Sequence, residues 1–197
     1  MATIIKNAKL CFVHAFEPTS MDGNEANAKY GVCVVIPKDD EASVAEIQKA
    51  IAAAKEVGKG KCWNGKIPSG LRTPLRDGDT DRPDDPNFEG CYFFNANSKR
   101  KPGVLEPDKT PMTDETHLYS GCYAHVSVNF YPYSVSGNRG IGAGLNNIMK
   151  CAEGDSLAGA APATTDFSDI EPAKAEDDFK DIESAAKAVI DDDDMPF

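Results

Sequence analysis

The densest group of chemically capable side chains is acidic: Asp77, Asp79, Asp81, Asp84, Asp85 and Glu89. Clustered carboxylates can hold a divalent cation for phosphodiester hydrolysis, so a metal-dependent nuclease is one reading of this stretch. The run opens like a calcium loop, but that loop needs Gly at its sixth position and Glu at its twelfth. Here those positions hold Arg82 and Phe88, and the calcium reading fails. The plainer reading is an acidic loop that pairs with Arg72, Arg76 and Arg82. Cys122 and His125 have zinc-ligand spacing, with Cys11, His14 and His117 as further candidates. Positions 122 and 125 fall on opposite faces of an alternating strand, which argues against a shared ion. The glycines at 140, 142 and 144 do not form a dinucleotide fingerprint, because its third glycine falls on Leu145. No phosphate-binding Walker motif is present, and three histidines offer no nucleophile and base at recognisable spacing. The expectation is a protein that is not an enzyme and needs no metal or cofactor.

What remains are residues suited to holding a polyanion with flat, apolar bases. Single-stranded nucleic acid is bound by cations along its backbone and by aromatic faces beneath its bases, with stacking worth about 1–3 kcal/mol per base. Candidate cations are Lys59, Lys61, Lys66, Arg72, Arg76, Lys99, Arg100, Lys101 and Arg139. Candidate platforms are Trp63, Phe94, Tyr123, Tyr131 and Tyr133. A second constellation closes the chain: Asp191, Asp192, Asp193, Asp194, Met195, Pro196 and Phe197. Four consecutive carboxylates cannot enter a core. An apolar end with a terminal carboxyl group suits capture by a pocket beside a cation, the acidic run steering the approach.

Strands must position most of these groups. Thr3–Val13 reads as a first strand and residues 17–28 as a polar loop. Tyr30–Ile36 is a nearly continuous apolar run closed by Pro37, as in a buried strand. Asp39–Val57 is the one clear helix. Val44, Ile47, Ile51 and Ala54 make a narrow apolar stripe, Asp39, Asp40 and Ser43 are candidate caps, and Gly58 is a candidate stop. Residues 59–89 are rich in Gly, Pro and Asp and read as a long loop, of a length that is usually functional or mobile. Gly90–Asn95 reads as a short strand that leads into the basic loop 98–102. Tyr123–Tyr133 alternates cleanly. Ala124, Val126, Val128 and Phe130 face inward, while Tyr123, His125, Ser127, Asn129 and Tyr131 face outward, and Pro132 ends the pattern or marks an edge. A turn at Ser136-Gly137-Asn138 leads into a strand whose alternate glycines leave one face bare, so that something can approach the backbone closely.

Charge divides the chain. Residues 1–150 hold 18 Lys+Arg and 18 Asp+Glu, whereas 151–197 hold 3 Lys and 14 Asp+Glu, so the net charge of -11 belongs to the C-terminal part. A neutral body neither excludes nor requires a nucleic-acid partner. From about residue 152, Ala, Pro, Thr, Ser, Asp and Glu dominate, the composition of a disordered segment. Within it Phe179, Ile182, Ala186 and Val189 keep helical spacing. No apolar run is long enough to span a membrane, and no signal-peptide core opens the chain. Six scattered cysteines without a Cys-x-x-Cys pair suggest reduced thiols.

The C-terminal seven residues resemble the acidic tip of bacterial single-stranded-DNA-binding proteins. The body resembles a tailed-phage single-stranded-DNA-binding family once catalogued only as a domain of unknown function. The resemblance is carried by Pro74–Asp79, Phe94–Ser98, Tyr119–Tyr123, Asn129–Tyr131 and Gly137–Asn147. It implies a mainly β fold, an OB-type Greek-key barrel with one helix and long loops over residues 1–151. A disordered acidic linker (152–190) and an interaction tip (191–197) would follow. It also implies sequence-independent binding of single-stranded DNA in phage replication or recombination, in the bacterial host cytoplasm. The acidic tail would regulate DNA binding and recruit replication or repair proteins. The alternatives are the nuclease above, or an adaptor or inhibitor that acts only through its tail. A homodimer is compatible with the resemblance, though no residue argues for it. One feature does not fit a simple OB barrel: the helix follows the second strand, not the third.

Overall fold

The computed structural model describes residues 2–20 and 23–157. Its elements are β1 (Thr3–Thr19), β2 (Lys29–Pro37), α1 (Glu41–Lys61), β3 (Arg76–Asp77), α2 (Gly78–Asp81), β4 (Cys91–Ser98), β5 (Gly103–Leu105), β6 (Tyr123–Val135) and β7 (Asn138–Ala152). Short 3-10 turns occupy Glu25–Asn27 and Glu115–His117. β1 pairs with β2 and β6, β2 with β4, and β6 with β7, all antiparallel. A parallel bridge between Asn97 of β4 and Gly144 of β7 closes the ring β1–β2–β4–β7–β6. This is the five-stranded OB barrel.

β1 serves two partners because it bends. Its first half pairs with β6 and its second half with β2. The register shifts between Ile5 and Ala8 and again after Cys11, where Asn7 and Phe12 take positive φ values of 51° and 49°. Bulges of this kind let one strand turn a barrel corner. The strand therefore runs on to Thr19, into the stretch read from sequence as a loop. Among the described residues there is no extra strand in that stretch, so the helix follows the second barrel strand and the OB plan is elaborated at that point.

α1 matches its sequence pattern. The Asp40 carboxylate accepts from the Ser43 backbone N–H at 3.1 Å, and Val44, Ile47, Ile51 and Ala54 pack into the main core with Ile5, Val34, Phe94 and Val126. Gly58 does not stop the helix. A Cβ there would lie 2.5 Å from Cζ3 of Trp63, so the glycine makes room for the indole ring and the helix continues to Lys61. Pro132 does not end β6 either. β1 reaches only Val128, so the flank of β6 beyond it lacks a partner strand and tolerates a missing N–H.

The long loop after α1 completes the barrel wall. Asn97 alone joins β4 to β7, and the remaining backbone groups along that seam need partners. The 72–77 segment supplies them. Arg72 bridges to β7 at Gly140 and Ile141, and β3 pairs with β4 at Tyr92 and Phe93. The chain then crosses the outer wall, where Phe88 buries against Cys11, Cys33, Val35 and Phe93 in a second apolar cluster. Burial raises the Cys11 thiol to about 11 and that of Cys33 to about 12, so neither is a nucleophile. All six cysteines are unpaired.

Packing does not end at the expected boundary of 151. Asp155 lies so close to Gly121 that no Cβ fits there, Leu157 donates to the Ser120 carbonyl at 2.8 Å, and its side chain joins the Phe88 cluster. Lys150 is buried, bound to Glu153 at 2.5 Å, with the Tyr119 hydroxyl donating to the same carboxylate. The linker, the spaced Phe179–Val189 pattern and the tip 191–197 lie outside the described residues.

Candidate nucleic-acid interface

Where Phe88 stops covering the outer wall of β1, β2 and β4, a groove of about 710 Å³ opens. Phe12, His14, Lys29, Gly31, Arg82, Asn95 and Asn97 line it. The bulge at Phe12 turns its ring outward, 52% exposed. A large side chain at positive φ is strained, and such strain persists where the surroundings enforce it. The Arg82 guanidinium lies 5.4 Å from the centre of this ring and 5.0 Å from that of Phe88, fixed by π-faces.

The same outer surface continues across the closing bridge onto β7 and β6. Tyr131 lies over Gly142 and Tyr133 over Gly140, each ring so close that a Cβ on the glycine would approach it to 2.8 Å or less. The bare face of the glycine strand is thus filled by its own cross-strand tyrosines. Each ring is held against the backbone of β7, and Tyr131 remains 45% exposed. Arg72 is tied to the neighbouring backbone, donating its N–H to the Arg139 carbonyl at 3.3 Å, so two cations flank this end. Among the described residues Lys29, Arg72, Arg82, Arg100 and Arg139 form no salt bridge. Their charge is available to phosphates.

The sequence candidates divide accordingly. Tyr131, Tyr133, Arg72 and Arg139 come together at the β6–β7 hairpin, with Lys59, Lys61 and Lys66 exposed at the adjoining end of α1. Lys99 and Arg100 follow β4 at the groove end marked by Asn97, while Lys101 pairs with Glu115 at 3.6 Å and lies over Phe16. Arg76 is bound to Asp81 at 2.8 Å. Trp63 and Phe94 are core residues, 5% and 0% exposed, and present no ring face to a base. Trp63 instead packs on Gly58 and Pro132 and donates to the Tyr133 carbonyl at 3.3 Å, which positions the tyrosine hairpin. Tyr123 is outward but eight residues from Tyr131, about 27 Å along an extended strand, beside Gly154. Phe12, Lys29, Arg82, Asn95 and Asn97 were not among the sequence candidates. The alternation Phe94, Asn95, Ala96, Asn97 carried the signal for the two asparagines, because β4 extends to Ser98 and not only to Asn95.

The acidic cluster is structural. Lys38, not Arg72 or Arg82, is its main partner, at 2.6 Å from Asp77 and 2.7 Å from Asp79. Asp79 also accepts from the Gly90 N–H at 2.6 Å, Asp77 caps α2, and Asp85 accepts from Asn87. The zinc candidates are dispersed: Cys122 is in the main core, Cys11 in the second cluster, and His117 bonds Glu106 at 2.8 Å. Among the described residues no three such groups could hold a metal ion.

Lys38 and the Gly90 N–H hold the Asp79 carboxyl below the usual carboxylate range. A depressed folded-state pKa contributes stability above the unfolded value, and that stability is lost as pH falls through the folded value. The Phe88 cover should therefore loosen in acid. The Gly90 amide is expected to exchange hydrogen faster, relative to intrinsic rates, as pH drops below the carboxylate range. In an Asp79→Asn variant it should exchange fast at neutral pH as well.

Comparison with known proteins agrees with this geometry. The model of a family described as "Enterobacter phage Enc34, ssDNA-binding protein" matches residues 1–182. Putative protein p50 of Acyrthosiphon pisum secondary endosymbiont phage 1 is 31% identical over 180 residues, 88% of this chain and 96% of that protein. The single-stranded-DNA-binding protein from bacteriophage Enc34, solved in complex with ssDNA, has a TM-score of 0.70 at 23% identity, covering 80% of this chain and 89% of its own. The single-stranded-DNA-binding protein gp2.5 of bacteriophage T7 has a TM-score of 0.51 at 18% identity, covering 82% and 96%. At such identities the two structures speak for the shared barrel. The family and these neighbours are binding proteins, not enzymes. With its match over residues 1–182 and a phage relative aligned along nearly its whole length, the chain belongs to the Enc34 single-stranded-DNA-binding family of phage proteins.

Proposed function

We propose that the protein binds single-stranded DNA without sequence restriction along the outer face that runs from Phe12 on β1 to Tyr131 on β6. The observation that carries this reading is the pairing of two exposed rings, each already backed by protein on one side, with cations at both ends that have no carboxylate partner among the described residues. Bases stack on the rings, and phosphates meet Lys29, Arg82, Lys99 and Arg100 at one end and Arg72 and Arg139 at the other. The acidic C-terminal segment competes for the same cations at low DNA occupancy. Once displaced, its tip, Asp191–Phe197, recruits replication or recombination proteins of the bacterial host cytoplasm. Support for the tail's role comes from its charge and its apolar end.

The test is a gel shift with labelled oligo-dT. Retardation is expected at low salt, with log affinity falling against log salt at a slope of about -3 to -4 for four to six phosphate contacts. Deleting 191–197 should leave affinity equal or higher while removing partner capture. No retardation in dilute buffer would favour an adaptor acting through the tail, and a lower affinity after deletion would remove the tail as competitor.

A further inference from the structure

The register places His14, Gly31, Asn97, Gly144 and Asn129 in one row across five strands. His14 pairs with Gly31, Gly31 with Asn97, Asn97 with Gly144, and Gly144 with Asn129. Glycine and asparagine alternate, and each carboxamide lies over its glycine neighbour. A Cβ on Gly31 would be 2.5 Å from Asn97 Oδ1, and one on Gly144 would be 2.7 Å from Asn129 Oδ1. The row is therefore a low belt, with aromatic rings and cations beyond its edges and no Lys, Arg, Asp or Glu along it.

These amides are also unspent. Asn7 Oδ1 takes the Cys151 thiol, Asn87 is held by Lys9 and Asp85, and Asn147 accepts from Gly103. The side-chain amides of Asn97 and Asn129 make no hydrogen bond to another described residue. A carboxamide offers one acceptor and two donor hydrogens, the complement of a nucleobase edge, whereas phosphate accepts only from donors and is better met by cations.

We infer that Asn97 and Asn129 hydrogen-bond the Watson–Crick edges of bases laid across the belt, with the phosphates turned outward to the flanking cations. In a duplex those edges are occupied by the complementary strand, so the belt selects unpaired DNA. Because an amide can match any base, selection for unpaired strands comes without selection for sequence. The inference rests on the single-stranded-DNA reading above.

The test uses the full chain and fluorescence anisotropy with four probes of equal length: oligo-dT, oligo-dC, an abasic strand with the same phosphates, and a mixed-sequence duplex. Asn97→Ala and Asn129→Ala, made separately at surface positions, should each weaken oligo-dT and oligo-dC about tenfold, the size of one lost polar contact. Affinity for the abasic strand and the duplex should not change, so the preference for single over double strand shrinks about tenfold. Equal loss on the abasic strand would assign the amides to the backbone, and no loss on any strand would remove them from the interface. Either result overturns the inference while the binding function stands. Failure of the unaltered protein to bind oligo-dT would sink both.

Discussion

Replacing Trp63 with alanine is expected to lower the free energy of unfolding by about 3–5 kcal/mol, measured by chemical denaturation. The ring is 5% exposed and fills space that Gly58 leaves open against Pro132. Alanine would leave a cavity between the end of α1 and β6 that neither backbone can close. Trp63→Phe separates the packing from the hydrogen bond. It keeps much of the ring but loses the donor to the Tyr133 carbonyl, a change of about 1 kcal/mol. This is the one tryptophan of the chain, so its emission reports the site directly. A buried indole emits at short wavelength, and saturating oligo-dT should barely quench it. Strong quenching would place a base on the ring and contradict the core assignment.

Trp63 illustrates how far the sequence can be read. Strand alternation on β6 and the stripe on α1 are local signals, and both were legible residue by residue. The role of an aromatic within residues 59–89 is not local. Trp63 and Arg72 both fall in a Gly- and Pro-rich loop, yet one ends in the core and the other beside the hairpin. Arg72 is placed by the seam between β4 and β7, and Trp63 by the approach of the end of α1 to Pro132 of β6, contacts between segments far apart in the chain. The bare glycines of β7 were legible as a surface open to close approach. Their occupants, Tyr131 and Tyr133, required the hairpin register. Phe12 was hidden for another reason. Its outward ring depends on a bulge at positive φ, and a bulge has no signature in period-2 alternation other than an apparent error in it. The polar composition of the run from Glu17 disguised the end of β1, Glu17–Thr19, as loop and with it part of one wall of the groove.

Phe12→Ala and Tyr131→Ala should each weaken oligo-dT binding by roughly 5- to 150-fold, the span of a lost stacking platform at 1–3 kcal/mol. The loss should be similar on oligo-dC and mixed sequences, because every base has a π-face. The two rings stand at opposite ends of the strip, on β1 and on the β6–β7 hairpin, and share no neighbour. Their effects should therefore multiply in the double variant. Stability should not follow affinity. Phe12 is 52% exposed and gains little from burial, and its positive φ is a strain that glycine would relieve. Phe12→Gly is thus expected to bind as poorly as Phe12→Ala while unfolding at an equal or higher denaturant concentration. That opposition distinguishes a residue kept for the strand it holds from one kept for the fold. If Phe12→Gly bound oligo-dT as tightly as the unaltered protein, the groove on β1 and β2 would lose its platform, and the path of the strand would have to be drawn from the tyrosine hairpin alone.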